Sequence, residues 1–324
     1  MRRGARIALQ VAVSGVVLAL LLLQLDLGRT VELVRASDIA DLAAALALFA
    51  VTTGLFAWRW QILLLSKGIE EPLGWLTKLY FVGYAVGQVL PSSMGSDAVR
   101  IVEHARRRPT ARAEVAGAVL MERIIGASAT LVLVAVALAV AAGRYEDLAL
   151  VVWIEALSVG ALVLLGVLMF SRRTRRALEA WVFPFARRLR VERVLDTVHG
   201  ALHGYRERPG TLAFAFVVTL AGQLVRIFSI WLCGEAVGID LSPLVYVIFG
   251  PILFLLMLVP FTINGVGVRE AAFVAFLGRF DVDANAAFAT GFLFYVVTVA
   301  SSIPGGLILL WRSVRPVLVR ARTE

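Results

Sequence analysis

Apolar runs long enough to cross a lipid bilayer recur along this chain, at 7–25, 40–64, 113–141, 148–170, 211–236 and 284–311. A helix needs about 20 such residues to traverse the hydrocarbon core. No water reaches backbone N–H and C=O groups there, so each run is expected to close its own hydrogen bonds as a helix. Composition agrees: 60% of the 324 residues are hydrophobic and only 17% are charged. In water such a chain would expose large apolar patches. The reading is an all-α, polytopic membrane protein. The N-terminal stretch MRRGARIALQVAVSGVVLALLLLQLD has a long apolar run and no small-residue cleavage site. It reads as an uncleaved first helix rather than a signal peptide.

Two further apolar segments are shorter and bounded by proline: 73–90, between Pro72 and Pro91, and 244–259, between Pro243 and Pro260. As helices they would reach roughly 24–27 Å, short of a ~30 Å core. Charge decides how they are used. The formal net charge is +9, and its placement between apolar runs suits lipid headgroups and topology rather than nucleic acid. With Arg2, Arg3 and Arg6 in the cytoplasm, 73–90 must dip in and return if Arg106, Arg107, Arg108 and Arg112 are also to lie inside. A matching dip of 244–259 from the outer side leaves the basic stretch 171–209 and Arg312, Arg315, Arg320 and Arg322 inside. The outer loops then carry Asp26, Glu32, Asp38, Glu146, Asp147, Glu235, Asp240, Glu270, Asp281 and Asp283.

The expectation is six spanning helices plus two re-entrant, broken-helix segments in inverted-topology repeats. The chain is one transmembrane domain, 1–324. It comprises a first helix and outer loop (1–39), repeat one (40–141), a connecting helix with a basic cytoplasmic segment (142–210), and repeat two with a basic tail (211–324). Within 171–209, Val191, Val194, Leu195, Val198 and Leu202 share a helical face, as in an amphipathic helix on the inner leaflet.

The breaks themselves read LPSSMGSDAVR (90–100) and VPFTINGVGVR (259–269). Pro91 to Arg100 and Pro260 to Arg269 have the same spacing, with Gly95 in one and Gly265 and Gly267 in the other. Proline ends a helix by lacking an N–H, and glycine permits the turn. Ser96 could cap the following half-helix with Asp97 in its first turn, and Asn264 could do the same in the second copy. A half-helix N-terminus attracts phosphate, and Arg100 and Arg269 could add bidentate contacts. Alternatively Arg100 pairs with Asp97 one turn away, and Arg269 reaches the outer headgroups.

Other ionisable residues lie deep in apolar runs: Glu122 and Arg123 in MERIIG, Glu155, and Arg226 near Gln223. At such depth they are expected to be paired or hydrated and to face a polar path. Similar depth suggests a Glu155–Arg226 pair. Arg59, between Trp58 and Trp60, reads as an interfacial anchor. The single cysteine, Cys233, excludes an internal disulfide, and His104, His199 and His203 make a poor metal set. Asp281 and Asp283 resemble an Asp-x-Asp metal pair only weakly. No metal or cofactor is expected, and no hydrolase, transferase or nucleotide-binding motif is found.

Three ordered motifs carry a resemblance. LPSSMGSDAVR, MERIIG and VPFTINGVGVREAAF together resemble the lysylphosphatidylglycerol synthase transmembrane-domain, or flippase-like, family. The matching positions are Pro91, Gly95, Asp97, Arg100, Glu122, Arg123, Pro260, Gly265, Gly267, Arg269 and Glu270. Ser96 stands where a second glycine is usual. In fused members the resemblance implies a membrane half that moves aminoacylated phospholipid and a soluble half that attaches the amino acid. No soluble half is read in this sequence, so synthase activity is not carried over.

The resulting expectation is a non-enzymatic lipid flippase of the bacterial inner membrane, with both termini cytoplasmic. A phosphate-containing headgroup, on a phospholipid or a polyprenyl-linked lipid, would enter a cationic cavity between the repeats. Arg100, Arg269, Asp97, Ser96 and Asn264 would contact it, with Glu122, Arg123, Glu155, Arg226 and Glu270 along the path. The alternatives are an intramembrane transferase or hydrolase acting on a lipid phosphate, and a non-transporting partner of a separate synthase or glycosyltransferase.

Overall fold

The computed structural model describes residues 14–15, 18–23, 25–89, 95–142, 160, 204–205, 207–258 and 265–320. The expected first helix lies largely outside the described residues. So do the connecting helix 148–170, nearly all of 171–209, and Pro91, Glu155, Pro260, Asn264, His199 and His203.

Every regular element among the described residues is helical. A short helix α1 (Leu27–Ala36) precedes α2 (Ile39–Leu65), α3 (Leu73–Val89) and α4 (Gly95–Arg107). A 3₁₀ turn (Pro109–Ala111) then leads into α5 (Arg112–Ala142). The order repeats as α6 (Pro209–Val237), α7 (Pro243–Leu258), α8 (Val268–Leu277), a 3₁₀ turn (Gly278–Phe280) and α9 (Ala284–Arg320). Four of these helices are long and apolar enough to cross a membrane: α2, α5 with its preceding turn, α6 and α9. They coincide with four of the six expected spans.

The first and third long helices end alike. After α2, Ile69 N–H donates to the Leu64 carbonyl (3.0 Å) and Gly68 N–H to Leu65 (3.0 Å). After α6, Ile239 donates to Gly234 (3.0 Å) and Gly238 to Glu235 (2.8 Å). Gly68 and Gly238 both have left-handed φ, 75° and 89°. This is the Schellman closure, which needs a residue without a Cβ penalty at that point.

The described chain forms two compact bodies: Met1–Trp58, Pro72–Glu103 and Ala221–Glu324 in one, and Arg59–Glu71 with His104–Leu220 in the other. In the first body α2 and α6 pack antiparallel. Asp38 N–H donates to the Ala236 carbonyl (2.9 Å). One heptad further, Ser229 Oγ donates to the Ala45 carbonyl (2.9 Å). One heptad beyond that, Thr52 Oγ1 lies 3.5 Å from the Gly222 carbonyl, and Phe56 lies against Gly222. Thr52 and Gly222 are 170 positions apart, the separation of the two closing glycines. At this crossing a residue of the first series meets its own counterpart in the second.

The short helices form hairpins in the same body. In α3/α4, Tyr80 faces Arg100, and Gly83 and Gly87 lie against Ser96. In α7/α8, Phe249 contacts Phe273 and Phe276 (ring centroids 4.7 and 4.8 Å), and Met257 reaches Gly265. Helix α9 lies along α3, and Gly305 allows it: a Cβ there would overlap the Phe81 carbonyl. Helix α1 ties to the start of α9, because Asp26 N–H and Thr30 Oγ1 both donate to Asn285 Oδ1 (2.9 and 3.2 Å). At the other end of α9, Arg312 pairs with Glu103 at the end of α4 (2.9 Å).

Candidate functional site: buried arginines around the helical hairpins

In the first body, Arg100 sits in the second turn of α4 and is 4% exposed. Its guanidinium bonds Asp97 in the first turn (2.6 Å) and lies over the Tyr80 ring (4.2 Å). The pairing one turn away was the alternative the sequence left open. Asp97 occupies the first turn, where a carboxylate favours the helix dipole. Ser96 does not precede α4. It lies within the first turn, which begins at Gly95, and packs on Gly83. The expected serine cap is therefore corrected: the close approach of α3 consumes that position.

Arg269, in the first turn of α8, is 2% exposed. It pairs with its neighbour Glu270 through Nε (3.0 Å) and Nη2, and its guanidinium faces the Tyr295 ring (4.6 Å). It does not reach outward to headgroups; the adjacent carboxylate and ring hold it inside. Glu270 also accepts the Gly267 N–H (2.7 Å), closing the N-terminus of α8. Gly265 and Gly267 have φ of 76° and 85°, so the turn uses the conformations that only glycine adopts freely. The residue closing this half-helix is Gly267, with Glu270 three residues on.

Arg226 lies on α6 between two phenyl faces, with its guanidinium carbon 5.2 Å from the Phe49 centroid and 5.3 Å from that of Phe254. Its Nε is buried with no hydrogen-bond partner. The rings continue outward: Phe49 to Tyr84 (6.0 Å), Tyr84 to Tyr80 (6.2 Å), and Tyr80 to Arg100. One aromatic track thus joins Arg226 to the α3/α4 hairpin.

The second body holds two more charged clusters. Arg59 is 7% exposed and donates to Glu122 Oε1 through Nε (3.2 Å) and Nη2 (2.9 Å), and to Thr219 Oγ1 through Nη1 (3.2 Å). The interfacial-anchor reading of Arg59 is corrected, because Glu122 draws it inward and Trp60 beside it is fully buried. Arg123, adjacent in sequence to Glu122, faces outward and is exposed. The helix turns consecutive side chains apart.

The other cluster was missed. Glu71, fully buried just before α3, meets His104 Nε2 (3.6 Å), Arg108 Nε (3.1 Å) and Arg107 Nη1 (3.7 Å) at the end of α4. The chain thus enters and leaves the α3/α4 excursion at adjacent side chains. The only sequence signal was a carboxylate beside Pro72. Asp283 is engaged by Arg29 (3.6 Å) and Asn285, and Asp281 takes a left-handed turn, so this pair serves the loop before α9.

Long apolar helices, short hairpins and inward-facing arginines define a multi-pass membrane protein. The model of the lysylphosphatidylglycerol synthase TM region matches residues 7–306. The chain belongs to that family. It is also similar to a protein of Haloferax volcanii named "Glycosyltransferase AglD", 28% identical across 90% of this chain and 51% of that protein. A "UPF0104 membrane protein" of Methanothermobacter thermautotrophicus is 21% identical across 94% of this chain and 91% of its own length. The chain therefore spans about half of the first relative and nearly all of the second.

Proposed function

We propose that the protein is a lipid flippase or scramblase of the cytoplasmic membrane, moving a phosphate-containing headgroup along a cationic path while the tails stay in lipid. The observation that carries this reading is the burial of one arginine just after each hairpin break, Arg100 and Arg269, each beside its own carboxylate. A buried guanidinium in a membrane is expensive and usually faces a polar path. Its pair can be exchanged for a phosphate oxygen pair.

The hairpins are read as re-entrant and the two series as inverted repeats. Three features support this. Glu71 and His104 bracket α3 and α4 at one place. The α2–α6 contacts run antiparallel and bring Thr52 to its counterpart Gly222. Asp26 and Asn285 meet at one end of α9, and Glu103 and Arg312 roughly 40 Å away at the other. A two-fold relation between antiparallel helices runs perpendicular to them, as in transporters with broken helices near the midplane.

The test is liposomes carrying head-labelled phospholipid, with dithionite added outside. Protein-dependent bleaching of the inner-leaflet label is expected, and bleaching no faster than in empty liposomes rejects the reading. A second reading, a non-transporting membrane partner of a glycosyltransferase, draws on the name of the Haloferax relative. It predicts copurification with such an enzyme and no autonomous lipid movement.

A further inference from the structure

Arg226 differs from the buried arginines Arg100, Arg269 and Arg59 in one respect. Arg100 has Asp97, Arg269 has Glu270 and Arg59 has Glu122, all within ion-pair distance. Among the described residues no carboxylate lies within that distance of Arg226. Its neighbours are the Phe49 and Phe254 faces, with Gln223 one turn earlier on α6. Rings neutralise part of a cation's field, but their attraction is far smaller than the desolvation of a buried guanidinium. The residue as a whole is only partly buried, while its Nε is shielded and has no hydrogen-bond partner.

We infer that Arg226 is the resting contact for the phosphate group of an anionic lipid head. This rests on the lipid-transport reading and names the site where the head is first held. The phosphate supplies the missing negative charge, and a guanidinium fork accepts two of its oxygens. Among the described residues no carboxylate has to be displaced from Arg226, whereas Arg100 must release Asp97 and Arg269 must release Glu270. The apolar flanks at Phe49 and Phe254 suit the glycerol and first methylenes below a head. The aromatic track through Tyr84 and Tyr80 then leads to Arg100.

The experiment reads equilibrium binding of dioleoylphosphatidylglycerol to the purified full chain in detergent by native mass spectrometry, alongside its melting temperature. Dioleoylglycerol serves as the uncharged control. Arg226→Met is expected to weaken phosphatidylglycerol binding by about tenfold or more and to leave dioleoylglycerol binding unchanged. It should also raise the melting temperature of the lipid-free protein, because a largely desolvated charge with no counter-charge among the described residues is removed. Arg226→Lys should bind between the two. Excess inorganic phosphate should fail to displace the lipid; displacement would assign the site to the free anion and overturn the lipid assignment. Unchanged phosphatidylglycerol binding in Arg226→Met overturns the proposal. So does a fall in melting temperature that Glu155→Gln in the same chain reverses, which would assign Arg226 to an internal ion pair. Binding is read without translocation. Loss of lipid movement with intact Arg226-dependent binding would reject the transport reading and leave the site standing. Lipid movement with Arg226-independent binding would reject the site alone.

Discussion

Replacing Glu122 by alanine tests how the Arg59 cluster holds α2 to its neighbours. The side chains of Arg59 and Glu122 are 9% and 2% exposed, and two guanidinium nitrogens bond one carboxylate oxygen. Glu122→Ala removes this carboxylate from the buried Arg59 and leaves its bond to Thr219 in place. Stranding one member of a buried pair costs about 3–5 kcal/mol, and the remaining neutral-acceptor bond offsets only part of that. At roughly 2 °C per kcal/mol for a chain of this length, the melting temperature should fall by roughly 6–10 °C. Arg59→Met should cost less, because a stranded glutamate can take up a proton and an arginine cannot lose one. The double variant Arg59→Met, Glu122→Met should recover most of the loss, since apolar replacement of a complete buried pair is close to neutral. The assay is a double-mutant cycle on thermal unfolding of detergent-purified protein, followed by tryptophan fluorescence. Losses that simply add in the double variant would refute the claim that these two residues act as one unit.

Two further outcomes follow from other contacts. Burial, opposed by Glu71 and reinforced by Arg107 and Arg108, pushes the His104 imidazole below its ordinary value of 6.5. In the unfolded chain the imidazole protonates first, so stability is fully present above about pH 6.5 and falls as pH drops below it. Replacing His104 by glutamine should flatten that decline in melting temperature between pH 7 and pH 5; an unchanged slope would contradict the assignment. Gly305→Val should destabilise the protein by about 1–3 kcal/mol or block its folding, because the new side chain meets the Phe81 backbone. Gly306→Ala, with open space around it, is the control and should be near neutral. Size-exclusion profiles and melting curves of the two variants compare them directly.

The hairpins were legible because their determinants are local. Proline bounds, lengths short of a bilayer and the glycines at 265 and 267 are written in consecutive residues. The positive-inside rule leads to Arg106–Arg112 and Arg312 being expected on one side; the Glu103–Arg312 pair joins α4 to α9 within the first body. The ion pair of Arg100 was readable as an alternative because Asp97 lies within one turn, whereas Arg269 was read as reaching the outer headgroups and its pair with the adjacent Glu270 was not read. The Arg59–Glu122 pair spans 63 positions and was not read. Their similar depth from one helix end is the sequence signal for it. Glu71 gave no such signal, because its partners His104, Arg107 and Arg108 become neighbours only when α3 and α4 fold back.

Hydropathy, charge sign and helix-breaking residues determined which segments are helices, which are too short to span, and which side their basic ends favour. These properties act within one or two turns of the chain, so order in sequence is enough to read them. Which charges distant in sequence neutralise each other was decided by tertiary packing. A helix presents side chains in all directions, and only its neighbours select the face that is buried. Glu122 therefore turns inward while Arg123 turns out, and Arg226 is set between two phenyl rings.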